Sequence, residues 1–433
     1  MSQLPRTTKP LSLAVLLVPT IVYLIAEHHP HTSLYEDFGQ PAAVMAEDVL
    51  AGTPIRRGSA LVLAAFGLVI LVVRRGEKAS VSGSLGALMG TLLAWSCASV
   101  LWSVDPMLTL RRLVLLWAMC LAGTAIAKNC TPSRITLWVL MSTALYLVLG
   151  ILAEGALDSF APTSPGYRFA GTLHPNSQGV NCGLLALAGL PMAMEGKRFR
   201  LPGMLIVWGA LGFLTLTRSR ASIASLLCAA LVYGWLRSRR ANINVALAAG
   251  AILAAALALA LLLNSFSPFL LRSLQLGRED ADVATLTGRM QLWTALLDEA
   301  ARRPFLGHGY GAFWTDARIL QVSHSIGWMA SNAHSAYLDV LLHLGIVGLL
   351  CYVLVLTLAV GRAASCAIAS GDRHVAIQAA LVTFSLVHGV VESHAFSTTF
   401  ATLVYITVLI RLSLTSQAPQ SQPRSLTHGS VSC

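Results

Sequence analysis

Charge is what this sequence has least of. Only 11% of its 433 residues are Asp, Glu, Lys or Arg, against about a quarter in a soluble domain. That shortage excludes a soluble globular enzyme. A disordered chain is excluded as well, because 55% of the residues are hydrophobic and the mean hydropathy is +0.69. The eight cysteines contain no CxxC pair and no metal-ligand spacing, so a disulfide scaffold is excluded too. Cys97, Cys120, Cys182, Cys228 and Cys351 lie in apolar runs, Cys130 and Cys366 fall in short polar loops, and Cys433 is the final residue. They read as small buried hydrophobes. What remains is an all-α polytopic membrane protein, read through windows of about 20 apolar residues.

Twelve such runs are present, at about 11–26, 59–73, 81–101, 109–127, 135–153, 178–195, 202–217, 219–236, 243–263, 335–360, 375–391 and 396–412. The first two are near the lower limit for spanning. The first follows Arg6 and Lys9, as a signal peptide would. No small-x-small cleavage site follows it, so it is kept as a helix. With the N-terminus in the cytoplasm, the cytoplasmic segments hold 17 Lys and Arg and three acids, or +14, and everything else carries −3, which together give the net +11. Both termini are therefore expected inside, and the excess charge is topogenic rather than a nucleic-acid footprint. The expected organisation is transmembrane helices 1–9 over 1–263, a periplasmic loop domain over 264–333, transmembrane helices 10–12 over 334–412, and a disordered cytoplasmic tail over 413–433.

Two outer loops are long, 154–177 and 264–333, and long loops in compact proteins carry function. No ATP is present outside, so the energy must arrive in an activated substrate. Within the larger loop, Leu286, Met290, Trp293, Leu297 and Ala300 form one stripe of an amphipathic helix, which Pro304 stops. The stripe suits a membrane surface or the roof of a cavity; packing within the loop is an equal reading.

The informative anomaly is outer-side arginine without lysine. Arg218 and Arg220 sit in the link Thr217-Arg218-Ser219-Arg220 between two apolar helices, and Arg168 and Arg289 flank others. Arginine at membrane depth lines cavities or pairs with anions, and its planar fork suits phosphate. Snorkelling to lipid head groups is the plainer alternative. His334 stands where the large loop re-enters the membrane, in Ser331-Asn332-Ala333-His334-Ser335. If Ser331 or Asn332 caps the helix, the positive helix end keeps His334 neutral and able to take a proton from a hydroxyl. A lone interfacial His is more often structural. In the third segment, Arg168 precedes His174-Pro175-Asn176, which leads into the sixth helix with Asn176 as its expected N-cap; a turn plus cap without chemistry is the plain reading. Glu392 could orient a base or an arginine, although a solvated loop acid is the simpler view. Gly307-His308-Gly309-Tyr310-Gly311 is no phosphate loop, lacking a strand–turn–helix context. Glu27, His28, His29 and His31 resemble a metal site in composition only.

Taken in order, Arg168-Phe169-Ala170-Gly171 with His174-Pro175-Asn176, then Thr217-Arg218-Ser219-Arg220-Ala221, then Gly288-Arg289 with Trp293, Pro304 with Gly307 and Gly309, and finally His334 with Gly345 and Gly348, the pattern resembles the O-antigen ligase and Wzy polymerase superfamily of bacterial inner-membrane proteins. The resemblance spans roughly 80–412. It implies a GT-C-like fold and a glycosyltransferase that needs neither metal nor cofactor. The donor it implies is an undecaprenyl-diphosphate-linked oligosaccharide at the periplasmic face. Arg220 and Arg289 match residues that hold the diphosphate, with Arg218, Arg168, His174 and Asn176 nearby. His334 matches the histidine that acts as base on the acceptor, a glycan or lipid A-core. The family often has His-Asn where Ser335 follows His334 here, a departure that touches the acceptor side. The His-Pro-Asn form is more like exopolysaccharide polymerases, so a polymerase is expected and a ligase is the alternative. Membrane lipids surround such an enzyme, flippase and chain-length or export components are candidate partners, and nucleic acid is not one. A lipid-linked oligosaccharide flippase or transporter is the rival class. It would want midplane charges and related halves, whereas the helix centres here are nearly free of charge.

Overall fold

The computed structural model describes residues 11–27, 54–74, 79–81, 83–164, 166–238 and 289–416. Among them the chain is helical apart from one pair of short strands. The helices are α1 (Leu13–Glu27), α2 (Pro54–Val73), α3 (Gly83–Ala98), α4 (Pro106–Asn129), α5 (Pro132–Ala156), α6 (Pro175–Ala193), α7 (Lys197–Thr217), α8 (Arg220–Arg237), α9 (Arg289–Arg302), α10 (Asp316–Ile326), α11 (Ala336–Ser370), α12 (Arg373–His388) and α13 (Phe400–Ser413). Local chemistry sets many of the starts. Proline opens α4, α5 and α6, where its missing N–H is no loss. Side chains of Asp105, Thr131, Asp372 and Thr399 accept from first-turn amides of α4, α5, α12 and α13.

Eleven of the twelve apolar runs coincide with described helices; the ninth, 243–263, lies outside the described residues. Five segments are long and apolar enough to cross a membrane by length and composition: Gly83–Trp102, α4, α5, α7 and α11. α1, Arg57–Val73 and α13 are shorter apolar helices. The expectation of about twelve spans is thus supported for five. α6 and α12 differ for a physical reason. They are enclosed by neighbours on nearly every face, and they carry buried Gln178, Asn181, Gln378, Thr383 and Ser385 that lipid contact would forbid.

The tenth apolar run, 335–360, becomes a 35-residue helix, α11, broken at Gly345, where φ is +67°. A Cβ there would meet the carbonyl of Phe305, so only glycine lets the loop approach. That loop repairs the broken ladder. His308 N donates to Leu342 O (2.9 Å), Gly309 N to His343 O (2.9 Å) and Ile346 N to Pro304 O (2.8 Å). The glycine-rich 307–311 segment is therefore a structural plug. Cys366 lies within α11 rather than in a loop, and Cys130 lies in the short link between α4 and α5 but is fully buried.

The amphipathic stripe is shifted from its expected register. Leu292, Leu296 and Ala300 face inward, while Met290 and Leu297 are exposed; Leu286 lies outside the described residues. The inward set packs with Phe313, Ile319, Val322, Ala333 and Leu342, so α9 and α10 share a core with the start of α11. The residues i, i+4 and i+8 from Leu292 meet that core. At the opposite end, Ala79–Val81 (β1) pairs antiparallel with Leu414–Ser416 (β2).

Candidate functional site

The end of the bundle where α1 stops and α2, α4, α6 and α11 start is organised by two carboxylates. Glu154, in the last turn of α5, is buried. Its Oε1 accepts from Ala170 N (2.9 Å) and Gly171 N (2.8 Å), and its Oε2 from the Tyr167 hydroxyl. Gly171 has φ +61°, and a Cβ on it would come within 2.6 Å of Gly150 Cα. The loop thus lies flat on α5 and delivers Arg168 and His174 to fixed places. Sequence reasoning passed over Glu154; its signal was a lone acid ending an apolar helix beside Gly155.

Glu392 is the second carboxylate. Its side chain is 14% exposed and accepts from Arg289 Nη2 (2.8 Å) and Asn176 Nδ2 (2.8 Å), both through Oε1. Arg289 Nη1 also donates to Val391 O. Asn176 Oδ1 in turn accepts from Arg168 Nη2 (2.6 Å), and Arg168 Nε donates to Thr217 O (2.9 Å). His334 Nδ1 stands 3.8 Å from Glu392 Oε2, past hydrogen-bond length, and is buried without another partner. Five of the residues singled out in the sequence (Arg168, Asn176, Arg289, His334 and Glu392) therefore meet in one network, drawn from four separate segments. Burial raises the Glu392 pKa, but the close approach of His334 and the charge of Arg289 outweigh it and hold it at about 2. Glu392 is no solvated loop acid; it is an ionised, enclosed counter-charge.

His334 is held firmly. Its φ is +47°, a left-handed conformation that costs a non-glycine residue about 1–2 kcal/mol. The surrounding bonds impose it. His334 N donates to Asn332 Oδ1 (3.0 Å), Ser335 N to Ser393 Oγ (3.2 Å), Ala336 N to Gly389 O (2.8 Å), Ala333 N to Asp339 Oδ1 (3.1 Å), and Trp293 Nε1 to Ala333 O (2.8 Å). Two expected caps change. Ser335, not Ser331 or Asn332, caps α11, accepting from Leu338 N, so His334 precedes the helix and the dipole argument weakens. His174, not Asn176, caps α6, its Nδ1 accepting from Asn176 N (3.2 Å). Proline at the first helical position fixes that frame and frees the Asn176 amide for Glu392 and Arg168.

Arg218 occupies the left-handed C-cap of α7, with φ +51°, and Arg220 opens α8. Their link touches the network through Thr217 O, which accepts from Arg168 Nε. Glu27 accepts from the Tyr146 hydroxyl (3.0 Å) and Phe400 N (2.5 Å); His28, His29 and His31 lie outside the described residues, as does Gly288.

A cavity of about 840 Å³ opens beside the network, within the range of about 300–1,000 Å³ that small-molecule sites occupy. His174, Asn176, Asn332 and Glu392 form one part of its wall. Arg168, Arg289 and His334 stand directly behind, in contact with Asn176 and Glu392. Neither Arg218 nor Arg220 is part of the wall. The wall also holds Arg57, Arg111 and Arg112, which sequence reasoning did not single out. The signal was present, since Arg111-Arg112 interrupts the start of an apolar run.

Residues 205–353 match the Wzy_C family, described as O-antigen ligase; that stretch contains Arg218, Arg220, Arg289 and His334. The chain is also 23% identical over 323 residues to the exopolysaccharide production protein ExoQ of Rhizobium meliloti (strain 1021), covering 70% of this chain and 71% of that one. The several apolar helices suggest a membrane protein, and the two matches support membership of this chain in the O-antigen ligase and Wzy superfamily.

Proposed function

We propose that this protein is a periplasmic-face glycosyltransferase that polymerises glycan units carried on undecaprenyl diphosphate. The supporting observation is the network Arg168–Asn176–Glu392–Arg289 with His334 at its edge, beside a cavity of about 840 Å³. In the reaction, the acceptor hydroxyl oxygen attacks the anomeric carbon of the donor sugar. The new C–O bond forms as the anomeric carbon–phosphate oxygen bond breaks, and the electron pair leaves with the diphosphate. His334 takes the hydroxyl proton. Glu392, facing Nδ1, stabilises the imidazolium that results. Two of the five N–H groups of Arg289 are engaged by Glu392 and Val391. The others are available for the charge that grows on the leaving diphosphate, supported by Arg168 and by Arg220 and Arg218 on the adjacent link.

The likeness to an exopolysaccharide production protein supports the polymerase reading over transfer to lipid A-core. The ligase description of the matched family carries a second reading, transfer to lipid A-core. One assay separates them: labelled undecaprenyl-diphosphate oligosaccharide is given to reconstituted protein with and without lipid A-core. A product ladder without lipid A-core marks a polymerase; a single adduct that requires it marks a ligase. His334→Ala is expected to lower kcat by about 10²–10⁴, the contribution of a general base. A fully active His334→Ala protein would remove the catalytic assignment.

A further inference from the structure

The cavity has a second basic wall, distinct from the network around Glu392. Arg57 lies in the first turn of α2, and Arg111 and Arg112 lie early in α4. Arg57 and Arg111 are exposed, and Arg112 is half-buried. α2 and α4 are packed neighbours. One turn beyond Arg57 on the same face is Leu61, 67% exposed, and one turn beyond Arg111 is Val114, 57% exposed. Both apolar residues line the same cavity as the arginines. The part of the wall that these two helices supply is therefore cationic at the helix starts and apolar one turn deeper. That order, cation then hydrocarbon, matches a phosphate headgroup on a lipid chain. Glu27 also lines the cavity; counted with the three arginines, it leaves this wall net positive.

Resting on the function proposed above, we infer that Arg57, Arg111 and Arg112 bind the phosphate of the acceptor lipid, making the cavity a two-lipid site. The chemistry assigns which lipid goes where. The donor diphosphate is the leaving group, so it must sit at the reacting carbon, beside Arg289 and His334. The acceptor reacts through a sugar hydroxyl, so its own phosphate lies at least one sugar away from the reacting atoms. A basic wall on a different pair of helices from the His334 network suits only the second. Two acceptors share that chemistry, an isoprenyl-diphosphate glycan and a phosphorylated lipid core.

The test uses full-length protein in lipid nanodiscs and a labelled donor. Three acceptors are compared: a phosphonate-linked isoprenyl glycan, which can accept but not donate; a phosphorylated lipid core; and the same glycan without phosphate. Arg111→Ala and the Arg57→Ala/Arg111→Ala pair are expected to raise the acceptor KM by about tenfold or more, the loss of a charge-assisted contact, with the donor KM moving far less. The loss should shrink with the phosphate-free glycan and with Arg111→Lys. Whichever phosphate-bearing acceptor shows the KM effect identifies the lipid. A donor KM that rises as much as the acceptor KM, or an acceptor KM that does not move, overturns the proposal. If the wild-type protein transfers no glycan, the proposed function fails, and binding then decides this point separately. Wild-type protein should take up two equivalents of the phosphonate lipid and the Arg57→Ala/Arg111→Ala protein one; equal stoichiometry overturns the second wall.

Discussion

Glu154 and Glu392 are both enclosed carboxylates at the same end of the bundle, yet their partners differ in kind. Glu154 is satisfied by two backbone amides and a tyrosine hydroxyl of a single loop. Glu392 is satisfied by arginine and asparagine side chains from two other segments, with a histidine within reach from a third. The first arrangement fixes chain path. The second fixes the relative positions of charges, and it alone forms part of the cavity wall. Burial by itself thus says little about role; the identity of the partners and the open side of the group say more.

The sharpest way to break that comparison is Glu392→Gln. It should lower kcat in the transfer assay by about 10²-fold, the scale of misplacing reacting groups by 1 Å. A wild-type turnover would make Glu392 another Glu154. Glu154→Ala should act the other way. Three donors lose their acceptor, and at about 1–3 kcal/mol for each unsatisfied buried group the melting temperature should fall clearly, while kcat per folded molecule changes little. Equal stability with lost turnover would move Glu154 into the catalytic group. A smaller effect comes from pH. With its pKa depressed to about 2 from about 4.3 in the unfolded chain, Glu392 adds stability that is complete above the unfolded value and disappears as pH falls through about 2. The melting-temperature gap between wild type and Glu392→Gln should hold from neutral pH to about pH 5 and close below that; a gap closing near neutral pH would contradict the ionised pair. Smallest is Asn176→Ala, which removes the bridge between Arg168 and Glu392. Two hydrogen bonds are lost; at about 1 kcal/mol each, a loss of up to about thirtyfold in kcat/KM is expected.

Much of the helical plan was legible because lipid-facing helices must be apolar throughout, so α4, α5, α7 and α11 announce themselves. α6 and α12 read as spans from their apolar runs, but the fold surrounds them with protein, so neighbours take the place of lipid. Within the site, Arg168, Arg289, His334 and Asn176 stood out as polar residues at apolar borders. Glu392 stood out less, since a loop acid looks the same whether solvated or paired; only the fold brings Arg289 and Asn176 to it. The caps at His174 and Ser335 lie two to four residues from the expected ones, because several neighbouring polar residues were equally good candidates. The register of α9 was misread because exposed Met290 and Leu297 look no different in sequence from core residues.

The clasp between β1 and β2 has a consequence for how the molecule is made. Val81 finds Leu414 as its partner only after every helix between them has been synthesised. Until then β1 waits as an unpaired edge beside early helices already in place. Synthesis of Leu414–Ser416 is thus what fastens the start of α3 to the end of α13, and a chain cut short before Leu414 would leave that seam open.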